Sequence, residues 1–361
     1  MDYHEQKQQD YTQRLRAILL ELPEFCRMYF RAAETTTGNQ TRYGYAVDIR
    51  NFFRYLVSGE IEAFAGRDMK SLTLSDLNRV ETLHIEMYLE YVSVYRQETE
   101  TEQNGAMEVV RTNHERAKAR KLSAIRAFFK YYFKHGLIDN NVASLVDTPK
   151  LHEKAIIRLD VNEVADLLDT VEQGYGLSET QKRFHDRTAV RDAAILTLFL
   201  GTGIRISELV GINLKDVDFE RDQFVVTRKG GNQDRLSFGP EVREALLRYR
   251  AERLEVTPAE GHKDAFFLSL QRKRITTRAV EQLVGKYAKI STPLKKITPH
   301  KLRSTYGTIL YQESGDIYLV ADVLGHKDVN TTRKHYAAID EDRKRTAARY
   351  VKLRDDPPTD Q

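Results

Sequence analysis

Strand-like alternation of apolar and polar residues stands out in one place, Gln223-Phe-Val-Val-Thr-Arg228, answered by Arg235-Leu-Ser-Phe238 across a Gly230-Gly231-Asn232 turn. A period of two marks a strand, and the Gly-Gly-Asn between the two runs is hairpin turn chemistry. Before it and after Pro240 the apolar residues recur at three- and four-residue spacing, the stripe of an amphipathic helix. The expected fold is therefore mainly α, with a helical N-terminal domain and an α+β C-terminal domain that carries a small antiparallel sheet.

The N-terminal helices can be placed individually. Asp10–Glu34 is helical with a break at Pro23, where the ring removes a donor and clashes with the preceding turn. Thr41–Ser58 has one stripe of Tyr45, Ile49, Phe52, Phe53 and Leu56, and Thr82–Arg96 repeats the pattern. Gln97–Glu108 is acidic and aperiodic, and reads as an exposed loop. Val109–His135 differs: eight Lys/Arg stand against a single acid, Glu115, opposite Leu122, Ile125, Phe128, Phe129 and Tyr132. A solvated face usually mixes signs. A purely cationic one suits a phosphate backbone, so Arg111, Arg116, Lys118, Arg120, Lys121 and Arg126 are the expected DNA contacts. Asn140–Lys154, with two Asn and Pro149, reads as a linker. The length of 361 residues suits two domains, residues 1–145 and 159–361, joined by 146–158.

Composition excludes several classes of protein. Net charge is only +4, so any nucleic-acid binding must come from how charge is distributed. The single cysteine, Cys26, permits neither an intramolecular disulfide nor a cysteine zinc site, and its apolar surroundings suggest burial. The N-terminus is polar, without the apolar core of a signal peptide, and no apolar run approaches the ~20 residues that span a bilayer. A cytoplasmic protein acting at the nucleoid is expected, with no cofactor and no metal ligands.

The chemistry lies in separate short words. Thr298-Pro-His300-Lys-Leu-Arg303 reads as a helix start, with Thr298 at the N-cap and Pro299 in the first turn, so that an imidazole and a guanidinium share the positive end of the helix. Arg205 follows the Gly201-Thr-Gly203 break, and Glu208 stands three residues on to orient its fork. Lys229 lies at the hairpin tip, where Arg228 and Arg235 would make a basic finger. His326 follows Leu324-Gly325, and Tyr336 belongs to a further short helix. Each alone has an ordinary structural explanation. A tyrosine with a pKa near 10 is about one part in a thousand ionised at neutral pH, so a nucleophilic role for Tyr336 needs cationic or basic neighbours.

In this order, these words resemble the tyrosine recombinase (phage-integrase) family, and single-chain Xer recombinases most closely. The matching segments are Thr202-Gly-Ile-Arg-Ile-Ser-Glu208-Leu-Val-Gly, Arg228-Lys-Gly-Gly, Pro299-His-Lys-Leu-Arg303 and Leu324-Gly-His-Lys-Asp. The steps of 24 residues from Arg205 to Lys229 and 23 from Arg303 to His326 agree as well. Ala119–Lys130 is similar to the basic helix of the family's core-binding domain. The resemblance implies a clamp of two domains around double-stranded DNA. Arg205, Lys229, His300, Arg303 and His326 would form the phosphate pocket, Glu208 would support Arg205, and Tyr336 would be the nucleophile. It also implies a homotetramer on paired sites, coupled through the C-terminal tail. Two departures are visible: Tyr336 follows His326 by ten residues rather than nine, and Ser304 stands where many relatives have His. Chromosome-dimer resolution and mobile-element integration or excision both remain open. So do two other readings, a type IB topoisomerase-like enzyme and a catalytically idle DNA-binding protein.

Overall fold

The computed structural model describes residues 3–101, 105–151, 157–228, 231–325 and 329, the side chains of 96–109 excepted. The chain divides into two compact units, Met1–Lys154 and Ala155–Gln361.

The first unit contains α1 (Tyr3–Leu19), α2 (Cys26–Ala32), α3 (Asn39–Leu56), α4 (Leu74–Asn78), α5 (Thr82–Tyr91), a hairpin of β1 (Val94–Thr101) and β2 (Gly105–Thr112), and α6 (Glu115–Lys134). Pro23 lies in the gap between α1 and α2, as the missing backbone donor requires. The apolar stripes of α3 and α6 meet in an aromatic core that includes Phe52, Phe53, Tyr88, Phe128, Phe129 and Tyr132. The ring pairs there are mostly edge-to-face, and Tyr132 keeps its hydroxyl satisfied by donating to the Phe25 carbonyl at 2.7 Å. Cys26 is fully buried, and desolvation pushes its thiol well above the usual range.

The region between α5 and α6 differs from the sequence reading, and α5 ends at Tyr91 rather than Arg96 because residues 94–96 already belong to β1. Residues 97–101 and 105–108 are strand rather than loop: β1 and β2 pair antiparallel in the register Val94↔Thr112 through Thr101↔Gly105. Asn113 closes the base of the hairpin, its amide donating to the Ser93 carbonyl and its side chain to the Val92 carbonyl. The signal was missed because a two-stranded ribbon need not bury either face. Its strands therefore carry Thr, Glu and Gln with no apolar alternation. Consequently α6 begins at Glu115, and residues 109–112 belong to β2.

The second unit contains α7 (Val161–Gln173), α8 (Glu179–His185), α9 (Ala189–Thr202), α10 (Ile206–Leu209), β3 (Val217–Asp218), β4 (Gln223–Thr227), β5 (Gln233–Ser237), α11 (Pro240–Glu255), α12 (Thr277–Ser291), α13 (Pro299–Ser314) and α14 (Ile317–Val323). The expected hairpin is β4–β5, and β3 extends it to a three-stranded antiparallel sheet in the order β3-β4-β5. Ala194, Ile195, Leu196, Leu198 and Phe199 are all fully buried, so α9 is the central helix of the unit. Helices α7, α11 and α13 pack around it. Asp192 on α9 is buried too, and is paired with Arg191 and Lys286 and bonded to Thr188 and Tyr287. Among the described residues no helix is long and apolar enough to cross a membrane.

Candidate active site

The site begins where the central helix stops. Gly203 closes α9 in the left-handed conformation (φ +61°), and a Cβ there would lie 2.5 Å from the Tyr306 ring and 2.8 Å from Leu324. Only glycine allows α9 to end this close to α13 and the α14 turn. Two residues later Arg205 is the N-cap of α10. The Glu208 carboxylate accepts the Arg205 amide at 2.9 Å and its guanidinium Nη1 at 2.8 Å. Glu208 is 1% exposed and would be costly to bury unpaired.

Arg303 reaches the same place from α13. Thr298 is the N-cap and Pro299 starts the helix, although the Thr298 side chain makes no capping bond. Arg303 is buried, donating Nη1 to the Gly203 carbonyl at 2.5 Å and Nη2 to the Leu324 carbonyl. Arg205 donates Nη2 to the Leu324 carbonyl at 3.1 Å and to the Gly325 carbonyl at 2.9 Å. Two guanidiniums from separate helices thus converge on one oxygen at the end of α14. His300 is exposed on the first turn of α13, three residues before Arg303. Asp316 caps α14, accepting the amides of Tyr318 and Leu319, and Gly325 (φ +59°) ends its turn immediately before His326.

A family model described as the phage integrase family matches residues 158–343. A tyrosine recombinase XerC of Caldanaerobacter subterraneus is 32% identical over 333 residues, covering 90% of this chain and 85% of the relative. This chain belongs to the phage integrase family. A tyrosine recombinase XerC of Syntrophus aciditrophicus is 31% identical, with coverage of 80% and 92%. The fold agrees with those of two solved structures. A XerH site-specific recombinase in a post-cleavage complex with palindromic difH substrate has a TM-score of 0.60 at 19% identity, over 87% of this chain and 80% of that one. A lambda integrase tetramer bound to a Holliday junction has a TM-score of 0.59 at 17% identity, over 86% and 76%.

Of the residues that the phage-integrase resemblance points to, Arg205, Glu208 and Arg303 are brought together. Lys229, His326 and Tyr336 lie outside the described residues, as does the tail Ala337–Leu353. The expected basic finger is corrected at Arg228. Its side chain is 11% exposed and folds back onto Glu208, Asp234 and the Val323 carbonyl, while Arg235 is exposed on β5. Asp234 and the carbonyls of 323–325 were not anticipated. No motif marks a carbonyl as a partner, and Asp234 meets Arg228 only once the hairpin has closed.

The cationic helix is also more divided than its sequence suggests. Arg116 is exposed in the first turn of α6, and Arg111 is exposed on β2. Lys118 is partly buried and donates to the Ser93 hydroxyl at 3.2 Å. Lys121 points inward, 6% exposed and 3.3 Å from the fully buried Asp48 of α3, and Arg120 forks onto the same carboxylate. Arg126 donates to the carbonyls of Ala143 and Val146 and to the Thr148 hydroxyl. Lys121 and Arg126 are therefore tied to the protein itself. A buried carboxylate and unpaired loop carbonyls need these cations more than the surface does.

Proposed function

We propose that this protein is a site-specific DNA recombinase that breaks and rejoins duplex DNA through a covalent tyrosine intermediate. Site-specific recombination is the activity that membership of the phage integrase family supports. The observation that carries the chemical reading is the convergence of Arg205 and Arg303 on the Leu324 oxygen. Two forks that meet on one oxygen can equally hold the non-bridging oxygens of a phosphodiester, and the charge they supply matters most as the phosphorane forms.

In this reading the Tyr336 oxygen attacks the scissile phosphorus. The bond between phosphorus and the 5′ oxygen breaks, its electron pair staying on that oxygen, and a 3′-phosphotyrosyl link remains. Lys229, one residue beyond Arg228 in the chain, protonates the leaving 5′ oxygen, and His300 takes the tyrosine proton. His326 donates a hydrogen bond to the phosphate. A 5′ hydroxyl from a partner strand then reverses the reaction, and the phosphotyrosine conserves the bond energy. The first unit serves as the core-binding domain, with Arg111 and Arg116 as phosphate contacts, and the second as the catalytic domain. The two would close on DNA as a clamp, and paired sites would be exchanged through a Holliday junction by four copies, coupled through the C-terminal tail.

The test is Tyr336→Phe on a nicked suicide duplex, which removes one oxygen and leaves DNA affinity intact. Adduct must vanish, because no neighbouring hydroxyl replaces an in-line attacker held at ~3.5 Å. Adduct that persists in Tyr336→Phe and disappears in Tyr350→Phe would move the nucleophile to Tyr350.

A further inference from the structure

Arg228 is the member of this cluster that the recombinase reading leaves without a task. It directly follows β4, where it was expected to point at DNA. Instead its Nη1 lies 3.4 Å from both oxygens of Glu208. Its Nε is 2.9 Å and its Nη2 2.8 Å from Asp234 Oδ2 across the hairpin, and Nη2 also donates to the Val323 carbonyl at 3.2 Å. The guanidinium lies against Gly325 so closely that a Cβ on Gly325 would be 2.9 Å from Arg228 Cζ. One planar cation thus ties β4, β5, α10 and the α14 turn together.

Two consequences concern Arg205. First, Arg205 and Arg228 take consecutive carbonyls of the same turn, Val323 by Arg228, and Leu324 and Gly325 by Arg205. The position of one fork therefore sets the position of the other. Second, the two arginines share the Glu208 carboxylate. If Glu208 were held by Arg205 alone, it would neutralise the charge that Arg205 presents to a phosphate. A second cation on the same carboxylate leaves part of that charge available.

Resting on the recombinase reading, we propose that Arg228 is a positioning residue: through Glu208 and the 323–325 turn it holds the Arg205 fork in place and keeps it cationic toward the scissile phosphate, without touching DNA itself. A lysine substitutes only in part, because a single ammonium does not span two carboxylates and a carbonyl at once.

The experiment measures single-turnover adduct formation by wild type, Arg228→Ala and Arg228→Lys on two suicide duplexes. One carries an ordinary scissile phosphodiester. The other carries a methylphosphonate, in which a methyl group replaces one non-bridging oxygen and removes its charge. DNA affinity is measured against salt, and each variant's melting temperature is recorded. Loss of one oxyanion donor costs about 10²–10³-fold, so a residue acting through such a donor should cost about 30-fold on the phosphodiester. On the neutral phosphonate, which asks less of Arg205, the loss should shrink to about threefold or less. The log–log salt slope of binding should not change, whereas a lost phosphate contact would lower it by about 0.9. Arg228→Lys should show the same substrate dependence with a smaller loss, and it carries the test if Arg228→Ala does not stay folded. Equal losses on the two substrates, or a reduced salt slope, overturn the proposal while leaving the recombinase reading intact. Wild-type protein that forms no adduct on either duplex overturns both.

Discussion

Replacing Lys121 by Met separates the cations that hold the first unit together from those available to DNA. Asp48 is 0% exposed, and its carboxylate is shared by Lys121 at 3.3 Å and by Arg120, whose side chain is about half exposed. Burial pushes the Asp48 carboxyl above its usual range, and the two cations only partly offset this. Removing one partner of a buried pair costs about 3–5 kcal/mol, and because the Arg120 fork remains, the lower end, about 3 kcal/mol at pH 7, is expected. For a unit of this size that lowers the melting temperature by about 6–12 °C. The loss should depend on pH with a definite sign. A carboxyl whose pKa is raised on folding binds more protons folded than unfolded, so stability declines as pH rises from its ordinary value through the raised one. Lys121→Met raises that pKa further, so its deficit should be smaller at pH 4 than at pH 7. Urea unfolding of the full chain at both pH values measures this. Asp48→Asn combined with Lys121→Met should recover most of the loss at pH 7, because the buried charge is then gone as well. A deficit equal at the two pH values, or a double variant as unstable as the sum of the singles, would refute the reasoning. In DNA binding, Lys121→Met should leave the salt slope unchanged, while Arg116→Ala lowers it by about 0.9.

Two further outcomes follow from the second unit. Lys229→Ala should lower cleavage far more than binding, and a 5′-bridging phosphorothiolate, whose sulfur leaves without a proton, should restore it; Arg303→Ala should not be restored, and equal rescue of both would reverse the assigned roles. His185 is buried with its Nδ1 3.0 Å from the Tyr287 hydroxyl, and its pKa is lowered, first by burial and then by Lys286, against the smaller opposing pull of Asp192 and Asp186. The unfolded chain takes up that proton first. The stabilisation is therefore complete above the ordinary value of about 6.5 and is lost as pH falls from there through the lowered folded value. A His185→Gln variant should show a flatter dependence of stability on pH between 7 and 5, and superimposable curves for variant and wild type would exclude this role.

Local chemistry made much of the molecule legible before folding was considered. The helix that ends at Gly203, the hairpin at Gly230-Gly231-Asn232, the start of α13 at Pro299 and the Arg205–Glu208 pair all depend on residues within a few positions of one another. Period, turn preference and helix-end electrostatics act at that range. The same locality explains the failures. The β1–β2 segment is rich in Thr, Glu and Gln and carries no apolar alternation, so its residues read as a loop.

Charge sign was legible; charge direction was not. Eight cations along residues 109–135 look alike in sequence. Asp48, more than seventy positions away from Lys121, turns Lys121 inward and engages the half-exposed Arg120, and the carbonyls of 143 and 146 claim a third. Arg228 looked like a fingertip because its neighbours are Lys229 and two glycines, and only the closed hairpin and the α14 turn give its guanidinium Asp234 and Val323 to hold. The sequence by itself determined which groups this protein has for phosphate chemistry, because motifs specify residue types. Which cations face solvent and which are spent on buried carboxylates and carbonyls was decided by the tertiary structure, since that cost arises only when distant segments exclude water together.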